Sequence, residues 1–516
     1  MRLSILLAIA LLTAPLSLRA QPQAILLSEP GSSTASPVLG PDSGTVLFLS
    51  NPDNPQIFRL YAVAVSGGEN PVLLSENVNT TTSLVSSFRL SPDGRRAAYL
   101  RRDLLTGDVA LLTVPVDAST TPVRVDPGFG DTADDFRFTA DSEQVLFRAQ
   151  STVGGRNLYR VPADGSSAPT EISGDAFAAA FTVTPNGQRA VFSDSGTRVY
   201  SVPVGGGEVA TVDGRTNLFP GVSDFAVSPD SQRAVYKART LTESNTALYS
   251  APVDGSDEPV RLGPAASNNQ SVNRFRIGPG SARVVFETQV RDPLTGISSP
   301  GSLRSAPLEG GIAATLEGSR IAFDPPFAIS PDGGRVIYAR RGLNASAPVE
   351  AVSVPIAGGT AVVLGGGVNP RSFHFSPSGT QVLIEFSDAL VALPTAGGSA
   401  VAIADLDSGG LTDGLEFLGS ITQPELLFAA TVPSVSGTQR LYRTSLANPN
   451  PLQIAARTFT NQRRIRAFAV TADDLRAVLQ VKNPNDTADP LALYALPLDP
   501  SVPIPVIATG WFLRAP

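Results

Sequence analysis

The chain has 516 residues, 42% of them hydrophobic and 16% charged, with 46 glycines and 44 prolines. So apolar a chain is not a disordered one, and its net charge of -7 argues against nucleic acid or an anionic membrane surface as a partner. The absence of cysteine excludes disulfides, thiolate metal sites, a cysteine nucleophile and a lipid-anchored N-terminal cysteine together.

Met1-Arg2 is a short basic start, and Leu3 to Leu12 is an apolar run of signal-peptide length, too short to span a bilayer. Leu18-Arg19-Ala20 precedes Gln21 and ends in a small residue that fits a cleavage site. A signal peptide over residues 1–20 is therefore expected, with residues 21–516 exported to the periplasm or secreted. No later stretch approaches ~20 apolar residues, so no membrane span is expected. Next comes Ala24-Ile25-Leu26-Leu27-Ser28, a close match to Val72-Leu73-Leu74-Ser75. It stands ahead of the first complete unit and is expected to pair as an outer strand on the last one.

From there the chain repeats. Taking the Pro of Ser91-Pro92-Asp93-Gly94 as a marker, equivalents fall at Pro41, Pro92, Ala140, Pro185, Pro229, Pro279, Pro331, Pro377, Gly419 and Ala472. The spacing stays between 42 and 53 residues, the mark of a repeat architecture. Four positions before the marker stand Phe88, Phe136, Phe181, Phe225, Phe275, Phe327, Phe373 and Phe468, and two positions further on comes another apolar residue. This period-2 alternation predicts a strand with one buried face. The turn follows: Pro92 sets φ for a type I turn, Asp93 bonds back to the backbone and Gly94 takes positive φ. A second strand comes next, as in Val145-Leu146-Phe147. A third is read at Leu158-Tyr159-Arg160-Val161-Pro162 and its cousins, and a short fourth after an Asp-Gly or Gly-Gly turn, as at Pro259-Val260-Arg261-Leu262. The Pro of the third strand predicts a bulge there.

Each unit is thus four short antiparallel strands without a helical pattern, and units of this length stack as blades of a β-propeller. The expected fold is all-β, a propeller of about ten four-stranded antiparallel blades. A single large ring is preferred, and two tandem propellers are the alternative. Phe-x-Leu-Ser-Pro-Asp-Gly, an apolar strand and then Leu-Tyr-x-x-Pro resemble the propeller repeat of TolB-like periplasmic proteins. They are also similar to WD-type repeats, without the Trp-Asp dipeptide. The resemblance covers residues 24 to 516 and implies a fold rather than an activity. TolB itself resembles a six-bladed propeller behind an α/β domain, a pattern not seen ahead of these repeats.

Connections after the second and fourth strands share one propeller face, and the tight turns share the other. The first set is long and varied, as at Arg101 to Asp108 and Lys237 to Thr246. Variable loops on a rigid scaffold carry binding, so the long-loop face is the expected working face. Asp405-Leu406-Asp407-Ser408-Gly409-Gly410-Leu411-Thr412-Asp413-Gly414-Leu415-Glu416 has the acid spacing of a calcium loop. Asp405, Asp407, Asp413 and Glu416 are the candidate ligands, and an acidic inter-blade loop is the other reading. Asp131, Asp134 and Asp135 read as a solvated acidic loop, and Arg463, Arg464 and Arg466 as a basic one. The single histidine, His374, lies on the strand face opposite Phe373 and Phe375 and reads as packing or surface. No acids are seen to converge from several units at one equivalent position. The expectation is a monomeric, non-enzymatic propeller that binds a protein or cell-envelope component, with no cofactor other than a candidate calcium. The alternative is a carboxylate- or calcium-dependent hydrolase or lyase.

Overall fold

The computed structural model describes residues 25–28, 33–54, 56–76, 82–128, 133–150, 155–194, 197–214, 218–240, 245–263, 270–292, 298–322, 324–342, 348–365, 369–406, 411–418, 425–430, 440–446, 452–453, 464–482 and 491–498. These form ten four-stranded antiparallel sheets and, among the described residues, no helix. The protein is a β-propeller. Blades 1 to 9 span residues 34–73, 83–124, 133–171, 180–211, 218–261, 270–317, 328–365, 370–405 and 411–453, each a meander of consecutive strands. Blade 10 takes three strands from the C-terminal part, Arg464–Val470, Arg476–Lys482 and Ala492–Pro497, and its fourth, Ile25–Leu26, from the other end of the chain.

That borrowed strand closes the ring. Leu26 pairs with Tyr494, and Leu27 N–H donates to Leu493 O at 2.7 Å. Ser28 Oγ accepts the Leu493 N–H at 3.2 Å, just as Ser75 Oγ accepts the Leu60 N–H at 3.2 Å in blade 1. The likeness between the two Leu-Leu-Ser stretches is therefore a likeness of role. Ten apolar clusters join the blades, nine of them between neighbours in sequence. The cluster of Leu27, Val46, Phe48, Tyr61, Val478 and Leu493 joins blade 10 to blade 1. No cluster closes a smaller circuit among the described residues, so the ten blades make one ring rather than two in tandem.

The second and third strands are buried on both faces, because each blade packs between two others. Hence their unbroken apolar runs, such as Val145-Leu146-Phe147, whose relative exposure is 0% throughout. In five blades an aromatic on the second strand stacks on its cross-strand tyrosine, as Phe147 on Tyr159 at 5.4 Å and Tyr236 on Tyr249 at 5.9 Å. Such pairs are worth about 1 kcal/mol each beyond area burial. The first-strand phenylalanines pack between blades as expected: Phe88 lies against the cluster of blades 1 and 2, and Phe136 in that of blades 2 and 3.

The Ser-Pro-Asp-Gly turn is held by its own polar side chains. Ser91 Oγ donates to Asp93 Oδ1 at 2.6 Å and accepts the Arg96 N–H, while Asp93 Oδ1 also accepts the Arg95 N–H. In blade 7 the hydroxyl of Ser330 and the N–H of Gly334 hold the Asp332 carboxyl below its ordinary pKa. The fourth turn position has positive φ, and a Cβ on Gly94 would meet Pro41 Cδ at 2.8 Å. Where serine replaces this glycine it bonds across the blades. Ser142 Oγ accepts Asp93 N–H, Ser231 accepts Asn186 N–H, Ser281 accepts Asp230 N–H, and Ser43 accepts Ala472 N–H across the closing junction. Ser142→Ala, which keeps the strained φ of 66° and loses the bond, is expected to cost about 1 kcal/mol in urea unfolding. Ser142→Gly loses the bond but relaxes the backbone, and should be nearly neutral.

The expected bulge at the third-strand proline is not there. Pro162, Pro203, Pro252 and Pro355 each end their strand opposite the first residue of the second, where no further ladder N–H is needed. The irregularity sits in the first strand instead. Its register shifts in eight blades, at Val85/Ser87, Ala133/Asp135, Val272/Arg274 and Pro370/Ser372 among others.

Candidate functional site

In a closed ring the first strands line the central channel, and their bulges fall near the mouth on the long-loop face. A bulge turns the extra residue out of the ladder and re-aims its neighbours. Ser86, Asp134, Asn273 and Arg371 hold this extra position. Opposite it on the second strand, eight residues after the marker, stand Arg148, Lys237, Glu287, Glu385 and Gln480 in blades 3, 5, 6, 8 and 10. This pairing of positions builds the polar mouth of the channel.

In blades 2 and 3, Arg89 lies 5.8 Å above the Phe136 ring and Arg137 lies 5.7 Å above Phe181, each reaching the next blade. Asp135 stands between them, paired with Arg137 and 3.9 Å from Arg89. Asp134 takes Arg148 Nε at 2.6 Å and Arg156 Nε at 3.1 Å. Asp134 and Asp135 therefore do not form a solvated loop; they lie on strand Ala133–Phe138, clamped by arginines. In blade 5, Lys237 Nζ is 3.5 Å from Asp224 and donates to Asn273 O of blade 6 at 3.0 Å. Behind it Glu287 is 0% exposed, with Arg274 Nε 2.9 Å away. Burial pushes the Glu287 carboxyl up to about 7, against the pull of Arg274 and Arg276. The Asn273 side chain and Phe327 N–H face the same carboxylate, but neither oxygen has a well-directed hydrogen bond.

In blade 8, Ser372 Oγ donates to Glu385 Oε2 at 2.6 Å and lies 2.8 Å from His374 Nε2. Since the hydroxyl proton goes to Glu385, His374 Nε2 is the donor to Ser372. Burial holds the His374 pKa below its ordinary value, although Glu385 pulls it up. His374 is thus a partly buried member of a polar relay. Glu287 and Glu385 hold the same position in blades 6 and 8.

The loop tips add apolar surface. Between the second and third strands of blade 2, Asp103 Oδ1 accepts the N–H groups of Leu105 and Thr106, at 2.8 and 3.0 Å, and Leu104 N–H donates to Thr82 O. This pinned tip leaves Leu104 48% and Leu105 80% exposed. Phe177, in the connection from blade 3 to blade 4, is 49% exposed on the same face.

Of the candidate calcium ligands, Asp405 is the exposed last residue of strand Val401–Asp405. Asp413 and Glu416 sit on strand Leu411–Leu418, and Asp407 and the side chains of Asp413 and Glu416 lie outside the described residues. Among the described residues no cluster of three or more metal-ligating acids or histidines occurs. Arg464 and Arg466 belong to the first strand of blade 10 rather than to a loop; their side chains, and Arg463, lie outside the described residues. No helix of the described residues is long and apolar enough to cross a membrane.

No family model and no curated protein matches the chain. Among solved structures it is similar to a eukaryotic initiation factor, at 11% identity and a TM-score of 0.47, over 77% of this chain and 93% of that one. An oligogalacturonate lyase in complex with manganese matches at 13% identity and 0.35, over 80% and 98%. A putative TolB from Agrobacterium tumefaciens matches at 17% identity and 0.28, over 48% and 86%. These are likenesses of fold, and the class of the protein, a β-propeller, rests on its own ten sheets.

Proposed function

We propose that the chain is an exported, non-enzymatic propeller that binds a protein partner through its long-loop face. The observation that carries this reading is the Leu104-Leu105 tip. Two large apolar side chains are held out on a pinned turn, the form of a binding anchor that loses little entropy on contact. The channel mouth on the same face carries more bases than acids, unlike the chain as a whole. Among its described side chains Arg89, Arg137, Arg148, Lys237, Arg274, Arg276 and Arg371 stand against Asp134, Asp135, Asp224, Glu287 and Glu385. A partner surface with carboxylates around an apolar pocket complements both features. In a pull-down from envelope extract, Leu104→Ser with Leu105→Ser should lose the species that the parent protein captures, with its urea midpoint unchanged. Retention of the same species by the double variant would contradict the reading.

The second reading, a carboxylate-dependent enzyme, draws on Ser372 held between Glu385 and His374, with Glu287 at the equivalent position two blades away. Turnover of a chromogenic ester or glycoside that disappears in Glu385→Gln, with folding intact, would favour it over the first.

A further inference from the structure

The turn face carries a second pattern. Four residues after the marker, most blades place an arginine at the start of the second strand. In blades 4, 5, 6 and 7 it is Arg189, Arg233, Arg283 and Arg335, each donating from Nε to a third-strand serine, Ser201, Ser250, Ser305 or Ser353. In blades 4, 5 and 6 a terminal nitrogen donates to the carbonyl of the same serine, and in blade 5 the other reaches Glu309 in the third-to-fourth turn of the next blade. That turn docks alike at successive junctions: a Cβ on Gly255 would meet Thr211 O at 2.8 Å, on Gly310 Val260 Cγ1 at 2.5 Å, and on Gly358 Ala314 Cβ at 3.1 Å.

The residue before this glycine sets the charge opposite the arginine. Arg233 meets Glu309 at 2.9 Å, Arg189 lies in the field of Asp254, and Arg96 in that of Asp164. Where the arginine is replaced by Gln144 in blade 3, the facing residue is Gly205. Charge is thus matched inside the chain at these four junctions. At the junction of blades 6 and 7 it is not. The position that Asp254 and Glu309 hold before the turn glycine is Ala357 here, and the Asp of Arg283's own turn is replaced by Gly280. Glu309, the acid of its own blade, is engaged by Arg233. Ser305 Oγ and O take Arg283 Nε and one terminal nitrogen, at 2.8 and 3.0 Å. No acid among the described residues is within ion-pair distance of it, and burial alone shifts its pKa, downwards. Arg335 and Arg476 also face turns without an acid, Ala396 and Ser66, but each has an aspartate in its own turn, Asp332 and Asp473.

We propose that the junction of blades 6 and 7 on the turn face binds an oxyanion, a carboxylate or phosphate group, on Arg283, in the place that Asp254 and Glu309 fill at the two preceding junctions. Guanidinium is suited to either group, because its planar fork pairs with two oxygens. The site stands apart from the long-loop face and does not depend on what binds there. The test is calorimetric titration of the full chain with inorganic phosphate and, in parallel, acetate at low ionic strength. Arg283→Gln should weaken binding about tenfold, the loss of one charge-assisted bond. Ala357→Asp, which leaves Arg283 in place and supplies the missing acid, should weaken it by as much. Arg189→Gln, at a junction already matched, should leave it unchanged. Tighter phosphate marks a tetrahedral oxyanion as the natural occupant, and tighter acetate a carboxylate. Undiminished binding of both anions by Ala357→Asp and Arg283→Gln, or no binding to the parent protein, would overturn the proposal.

Discussion

A protein lacking residues 21–28 is expected to lose about 3 kcal/mol or more of stability and to self-associate. The deletion takes Leu27, 2% exposed, out of the cluster that joins blade 10 to blade 1. Emptying such a site costs about 2–5 kcal/mol even when only one leucine is truncated. It also removes the partners of Leu493, whose N–H and carbonyl bond to Ser28 and Leu27, and leaves Ala492–Pro497 as an open edge. Unpaired edges seek other strands, so the variant should elute as oligomers as well as unfold at lower urea. A truncated protein with an unchanged urea midpoint would mean that the ring does not depend on this strand.

The second large effect concerns Glu287. Its carboxyl has an ordinary value of 4.5 and stands at about 7 in the folded protein. The folded state therefore binds this proton more tightly than the unfolded one. The resulting stability is fully present below pH 4.5 and is lost as the pH rises through 7, a difference of about 3 kcal/mol. Glu287→Gln keeps the shape without the charge and should remove this component of the pH slope. The variant should match the parent protein near pH 4.5 and exceed it at pH 8. Arg274, which is partly exposed, tolerates the loss of its partner. Urea midpoints at the two pH values decide the matter, and parallel slopes for both proteins would show that Glu287 ionises freely.

Most of the architecture is visible in the sequence because the propeller writes the same physical need ten times. The alternation of Phe88 and Leu90, the turn chemistry of Ser91 to Gly94 and the unbroken run Val145-Leu146-Phe147 each recur at one spacing. Even closure is legible, since Leu27-Ser28 and Leu74-Ser75 do the same work. The mouth of the channel is not legible in that way. Its bulge adds a residue on the solvent side of Phe136 and leaves the apolar spacing before the turn intact, so no pattern marks it. Arg148, Lys237, Glu287 and Glu385 share one position, yet they differ in sign from blade to blade and look unrelated until aligned. Asp134 and Asp135 read as a loop because two adjacent acids seldom sit in a strand. They do so here because Arg148, Arg156 and Arg137 neutralise them. The third-strand proline is of the same kind: a strand-ending Pro162 and a bulged one look alike in one dimension.

The single closed ring is the claim on which the rest depends, and the chain's lack of cysteine allows a direct test. In a ring of ten, Leu26 pairs with Tyr494. In a pair of five-bladed rings it would pair instead with the equivalent residue of blade 5, Tyr249, which here faces Arg261. Facing positions on antiparallel strands lie within disulfide reach. Under mild oxidation, Leu26→Cys with Tyr494→Cys should form an intramolecular cross-link, seen as faster migration on a non-reducing gel, and Leu26→Cys with Tyr249→Cys should not. A cross-link in the second variant and none in the first would contradict the ring of ten.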